Sequence, residues 1–209
     1  MSDFLESWNK IANRHVVFAG VFDPVHIGHI ETARRAAGPS GTVLFLPEKK
    51  PWHKHGQTDY EHRLNMLKIA TEGHPNMKVL DSPYERHMID TTFAWVKEQY
   101  PDKPLAFLVG SDVASYMHKW DGIERIKDVG IEQLIVSARD LDAAPSTHKR
   151  QLKPDHKSYQ ELRNILDIAS EQSSHVYMSS SYIREDLHHR HTSLPQGVYD
   201  YIKQHNLYS

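Results

Sequence analysis

The chain has 209 residues, with 25 Lys and Arg against 27 Asp and Glu for a formal charge of −2. That is enough chain for one domain burying roughly 70% of its unfolded surface, and the charge balance gives no support to broad nucleic-acid binding. Cysteine is absent, which excludes disulfides and thiolate metal sites, and no apolar run reaches the ~18 residues of a membrane span. Met1–Lys10 is acidic and mixed rather than signal-like, so a cytoplasmic protein without membrane or nucleic-acid partners is expected. The 16 histidines make the net charge sensitive near neutral pH, where an ordinary imidazole titrates.

Short apolar runs alternate with longer amphipathic ones, the pattern of a parallel sheet wrapped by helices. Strands are expected at His15–Ala19, Thr42–Leu46, Met77–Leu80, Leu105–Val109, Gln133–Ser137 and His175–Met178. Helices are expected at His29–Ala37, Asp59–Glu72, Thr91–Gln99, Ser111–His118, Tyr159–Glu171, Ser181–His188 and Pro195–His205. In the second helix Leu64, Leu67, Ile69 and Ala70 face the core, while Glu61, Lys68 and Glu72 face water. Right-handed crossovers then give an α/β fold, a Rossmann-like doubly wound parallel sheet in a single domain over 1–209. Residues 139–157, with Pro145, Pro154 and many polar neighbours, read as a mobile surface excursion.

The first strand runs into Gly20, turns through Asp23-Pro24 and enters a helix carrying His26 and His29. Free N–H groups and the positive end of a helix dipole make such a turn an anion site. The Gly-Lys-Ser/Thr of a P-loop and the extra glycines of a dinucleotide fingerprint are missing, so imidazoles supply the specific donors. A zinc pair or two surface histidines would be the blander reading of His-x-x-His alone. Gly20, Phe22, Asp23 and Pro24 around it weigh against that.

Later strand ends carry further candidates. Pro47 leads into Lys49, Lys50, Pro51, Trp52, His53 and Lys54, followed by Arg63 on the next helix. The lysines are either a solvated basic loop or phosphate contacts. Gly110 permits close backbone approach, and Asp112 either accepts from ribose hydroxyls or caps a helix. Trp120 is either core or a stacking surface. Ser180 and Ser181 open a late helix, and Arg184 on its first turn opposes the macrodipole unless an anion is bound nearby. The closing Tyr199–Tyr208 segment reads as packing.

The run from Gly20 to His29 resembles the HxGH motif of the nucleotidyltransferase superfamily in its GxFDPxHxGH context. The Pro51–Lys54 loop, Gly110-Ser111-Asp112 with Trp120, the Met178–Arg184 segment and the last helix are each similar to stretches of the nicotinate/nicotinamide-nucleotide adenylyltransferase family, in its order. The resemblance implies His26, His29 and Arg184 as catalytic residues. It implies Gly20, Phe22, Asp23, Gly110, Asp112, Ser180 and Ser181 at ATP, and Lys54, Arg63, Thr92, Trp120 and Arg139 at the acceptor. Substrates would be ATP, carrying Mg²⁺, and a pyridine mononucleotide, with no dedicated protein metal site and a homo-oligomer compatible with the pattern.

Departures from the family are local. Asp90 and Thr91 stand where Ser and Tyr are usual, Val21 replaces a small or hydroxylated residue and Ala19 the first glycine, and Asp140-Leu141 replaces Pro-Gly. A carboxylate at Asp90 would repel an acidic acceptor if it faced the ring. The expected reaction is transfer of AMP from ATP to nicotinate mononucleotide. Competing readings are nicotinamide mononucleotide as acceptor, another HxGH nucleotidyltransferase, a catalytically silent nucleotide-binding module and, least, a zinc hydrolase using His26, His29 and one of His188, His189 or His191.

Overall fold

The computed structural model describes residues 14–52, 57–138, 157–172 and 178–209. Its strands are β1 His15–Gly20, β2 Thr42–Pro47, β3 Met77–Val79, β4 Leu105–Gly110, β5 Ile131–Ala138 and β6 Asp167–Gln172. They pair in parallel in the order β3-β2-β1-β4-β5-β6. The helices are α1 Ile27–Ala37, α2 Tyr60–Thr71, α3 Ala94–Gln99, α4 Ser111–Met117, α5 Lys157–Arg163, α6 Ser180–Glu185, α7 Leu187–Arg190 and α8 Gln196–Gln204.

Strand residues alternate between two apolar layers, as the two-residue period of a pleated strand requires. Val16, Ala106 and Leu108 face α1, α2, α6 and α8, where Ala33, Leu67, Ile183 and Val198 are buried. Val17, Leu105, Phe107 and Val109 face the other layer with Val96, Met117 and Leu162 of α3, α4 and α5. This is the doubly wound sheet expected from the continuous apolar runs. In α2, Leu64, Leu67 and Ala70 are buried and Glu61, Lys68 and Glu72 exposed. No helix among the described residues is long and apolar enough to cross a membrane.

Three elements differ from expectation. The helix expected to run to Glu171 stops at Arg163, and Asp167–Gln172 is the edge strand β6, paired with β5 from Gln133↔Asp167 to Ala138↔Gln172. Ile165, Leu166 and Ile168 fit a helical spacing as well as a strand, and the open edge of β5 decides the matter. The strand expected at His175–Met178 falls, except for Met178, outside the described residues, as does nearly all of the 139–157 excursion. The helix expected at Ser181–His188 breaks at Asp186, whose carboxylate accepts from His189 N at 3.4 Å and starts α7. Ahead of α3, Ile89–Phe93 form one π-helical turn.

Strand order reverses between β1 and β4: the chain leaves β1 for a helix on one layer and β4 for a helix on the other. Side by side, their carboxyl ends at Gly20 and Gly110 open the crevice where doubly wound sheets bind ligands.

Candidate active site

His26 is the N-cap of α1, and its Nδ1 accepts from His29 N at 3.3 Å. Reciprocally, His29 Nδ1 accepts from His26 N at 3.2 Å. This is a capping box built from two imidazoles rather than Ser and Glu. An Nδ1 that accepts cannot carry the proton in a neutral ring, so both histidines are held as the tautomer with N–H at Nε2. Their rings stack, with centroids 3.6 Å apart and planes 23° from parallel. Phe22 sits edge-on to His29 at 5.1 Å, with its backbone at φ 51°. For a bulky residue that conformation is an outlier, of the kind found where surroundings over-determine the chain. Gly20 leaves room for the Phe22 ring, since a Cβ there would stand 3.2 Å from it, closer than ordinary contact.

The late serine segment docks on this turn. Ser179 caps α6 by accepting from Tyr182 N at 3.1 Å, and Ser180 Oγ donates to Pro24 O at 2.9 Å. Arg184 Nη1 donates to Asp23 O, while Nη2 donates to Ser181 Oγ at 3.3 Å. His26, His29, Ser180, Ser181 and Arg184 therefore share one turn, although α1 and α6 lie far apart in the chain. Arg184 keeps 35% of its side chain exposed, so a cation and two imidazole donors gather at the carboxyl end of β1.

Asp23 does not stand with them as an ATP contact. It is 4% exposed, and its Oδ1 and Oδ2 accept from Tyr208 OH at 2.6 Å and Thr58 N at 3.3 Å. Its carboxylate faces the protein and fastens the turn from behind.

Arg63 likewise turns away from the acceptor side. It is 1% exposed and donates to the carbonyls of Thr58, Val21, Glu48 and Lys49 at 2.9, 2.8, 2.8 and 3.2 Å. Burial lowers its pKa from the usual value, but a guanidinium starts so high that it stays charged. Its work is to clip the loops after β1 and β2 together.

A cavity of about 410 Å³ opens beside the phosphate turn, between the ends of β1, β2 and β4. Gly20, Trp52, His87, Phe107, Gly110 and Trp120 are among its walls. Trp120 lies 6.1 Å from Phe107, and Trp52 is half exposed at the mouth with the Arg86 guanidinium 4.2 Å over its ring. Flat apolar walls of this kind accept an aromatic ring. A Cβ on Gly110 would collide with Asp112 Oδ1, and Asp112, exposed on the first turn of α4, makes no capping bond. Of its two expected roles the cap is therefore absent.

Thr92 is not a donor to this cavity. Fully buried, it accepts from Met88 N at 3.0 Å, donates through Oγ1 to Arg86 O at 3.4 Å, and gives its own N–H to Met88 O at 3.0 Å. Asp90 points elsewhere too, pairing with Arg125 at 2.5 Å. Lys54 and Arg139 lie outside the described residues.

His87 is the wall residue that sequence patterning missed. Both ring nitrogens are shut off from water without a hydrogen-bond partner, and burial pushes the imidazole pKa down to about 4. A lone histidine in a mixed run carries no periodic or motif signal. Tyr208 was legible only as packing. Among the described residues no group of three or more His, Asp or Glu could share a metal ion.

Residues 17–186 match the model of the cytidylyltransferase-like family. Over 208 residues the chain is 31% identical to a "Probable nicotinate-nucleotide adenylyltransferase" of Legionella pneumophila, covering 92% of this chain and 97% of that one. The chain belongs to the nicotinate-nucleotide adenylyltransferase family. A relative of the same printed name in Listeria monocytogenes is 29% identical over 204 residues, covering 92% of this chain and 95% of its own. Among solved structures, Plasmodium falciparum nicotinic acid mononucleotide adenylyltransferase complexed with NaAD superposes with a TM-score of 0.72 at 17% identity. That match covers 94% of this chain and 97% of the other, and it speaks for the fold. The family segment includes both the histidine pair and Arg184.

Proposed function

We propose that this nucleotidyltransferase moves AMP from ATP to the 5′-phosphate of nicotinate mononucleotide, giving deamido-NAD and pyrophosphate. One observation carries the proposal: a phosphate end of imidazole and guanidinium donors adjoins an aromatic cavity at the same switch point. The named relatives and the NaAD-bound Plasmodium structure support the choice of acceptor.

An oxygen of the acceptor's phosphate attacks the α-phosphorus of ATP, and the bond from that phosphorus to the β-bridging oxygen breaks. The attacking group is already an anion, so neither a protein nucleophile nor a strong base is needed. Catalysis is then positioning plus stabilisation of charge moving onto the leaving pyrophosphate. His26 and His29 donate their Nε2 hydrogens to the triphosphate, while each Nδ1 goes on accepting the backbone N–H of the other. Arg184 and Ser181 hold the departing phosphates, while Ser180 fixes α6 to the turn. Gly20, Phe22 and Gly110 leave the space that nucleotide and backbone share, and Asp112 is free to accept from a ribose. Trp120 stacks on the pyridine ring. ATP enters as its Mg²⁺ complex, the metal being part of the substrate. The proposal includes a cytoplasmic location and one catalytic domain over 1–209.

Asp90 gave a reason to prefer the amide acceptor. Its pairing with Arg125 removes that reason. Turnover with ATP and a panel of mononucleotides, following pyrophosphate and dinucleotide together, tests the assignment. Nicotinate mononucleotide is expected to give a higher kcat/KM than the nicotinamide form, with the ratio unchanged in Asp90→Ser. A preference for the amide that reverses in Asp90→Ser would overturn it.

A further inference from the structure

Arg184 and Asp23 make an unusual pair. The guanidinium lies 3.7 Å from Asp23 Oδ2, yet Nη1 donates to the main-chain oxygen of the same residue. A guanidinium and a carboxylate this close ordinarily draw into a bidentate pair at ~2.8 Å. Such a pair would occupy the fork that a triphosphate needs.

The carboxylate is instead held by two other donors. Oδ2 accepts from Thr58 N at 3.3 Å, and Oδ1 accepts from Tyr208 OH at 2.6 Å across 185 residues of chain. Burial and the adjoining carboxylate raise the Tyr208 pKa far above its usual value, so this phenol is a permanent donor. Its backbone sits at φ 61°, an uncommon conformation for a bulky residue.

We infer that Tyr208 is a positioning residue that, with Thr58 N, holds the Asp23 carboxylate off the Arg184 guanidinium and so keeps the Arg184 N–H groups not already given to Asp23 O and Ser181 Oγ available to the triphosphate. The inference rests on the adenylyl-transfer proposal for the identity of the anion and adds a device that controls its affinity. Tyr208 touches no reacting atom and acts through Asp23. Without its hydroxyl, Oδ1 is left without that donor in a buried place, and the Arg184 guanidinium, already 3.7 Å from Oδ2, is a cation within reach of the carboxylate. The fork then closes on Asp23.

The test is a double-mutant cycle in the full chain, read by calorimetric binding of Mg²⁺-ATP without acceptor and then by steady-state kinetics. Tyr208→Phe is expected to weaken Mg²⁺-ATP binding about tenfold, the scale of one charge-assisted bond, and to leave KM for the acceptor unchanged. In an Arg184→Gln background the same change should have no further effect, because no fork remains to divert. Asp23→Asn, which keeps an oxygen for Tyr208 while removing the competing charge, should restore binding when combined with Tyr208→Phe.

Undiminished binding in folded Tyr208→Phe would overturn the inference. So would an equal loss in the Arg184→Gln background, or a matching rise in the acceptor KM. If Tyr208→Phe does not fold, Asp23→Asn alone decides: binding as tight as the parent's or tighter supports the device, and a tenfold loss refutes it. Because binding is measured without acceptor, a parent protein that binds Mg²⁺-ATP but makes no dinucleotide would count against the proposed reaction only.

Discussion

The two ends of the crevice are built on opposite plans. At the phosphate end, His26, His29, Ser180 and Arg184 are each tied to main-chain atoms of one turn. At the acceptor end, Trp52 is half exposed, and His87 has two unpartnered ring nitrogens. Hydrogen bonds fix direction as well as distance, so the first end meets a phosphate already arranged. Apolar walls fix only shape, and Asp90 and Thr91, which depart from the family pattern, are not among the residues that line this cavity. Under the proposed reaction, an anion site tied to backbone beside a ring site walled by side chains would let the acceptor change while the reaction is kept.

Breaking the phosphate end should cost most. Replacing His26 or His29 by Ala is expected to lower kcat by ~10²–10³, the scale of a lost transition-state donor, with a much smaller change in melting temperature. Stopped or continuous pyrophosphate assays read this directly, and near-parental turnover in either folded variant would show that the tethered donors are not what the reaction uses.

The acceptor end should respond in binding instead. Trp120→Ala removes a stacking face worth about 1–3 kcal/mol, so KM for the mononucleotide should rise roughly 5- to 150-fold while Mg²⁺-ATP binding holds. A fall in kcat with KM unchanged would mean that the two ends do not divide the work this way.

The smallest effect concerns stability. His87 has a folded pKa of about 4, below the ~6.5 of an unfolded chain. The unfolded chain therefore takes up a proton that the folded ring refuses, and stability present above pH ~6.5 is lost as pH falls towards 4. Between pH 7 and pH 5 this loss should be about 1–2 kcal/mol in urea unfolding, and His87→Phe should escape it. Equal acid sensitivity in the variant would show that the ring nitrogens are solvated after all.

The sheet was legible because its strands are continuous apolar runs, which only a doubly covered sheet explains. β6 escaped because Ile165, Leu166 and Ile168 satisfy a helix equally well, and the choice was made by the edge of β5 rather than by local pattern. Within the site, linear motifs located residues without giving the directions of their side chains. Asp23, Arg63 and Thr92 lie near the crevice, but each turns inward to satisfy buried backbone or phenol groups. His26 and His29 were expected as donors, and the structure adds which nitrogen of each ring carries the proton. His87 and Tyr208 act through tertiary neighbours alone, and nothing adjacent in sequence announces them.

The bond from Tyr208 to Asp23 also has a consequence in time. A ribosome adds ~5–20 residues per second, so the 185 residues between the two partners take about 10–40 s to make. For that interval the nucleotide turn of a growing chain has emerged while its fastening has not yet been synthesised. Nascent chains are therefore expected to hold ATP less tightly than released ones, with biosynthesis itself delaying the onset of activity.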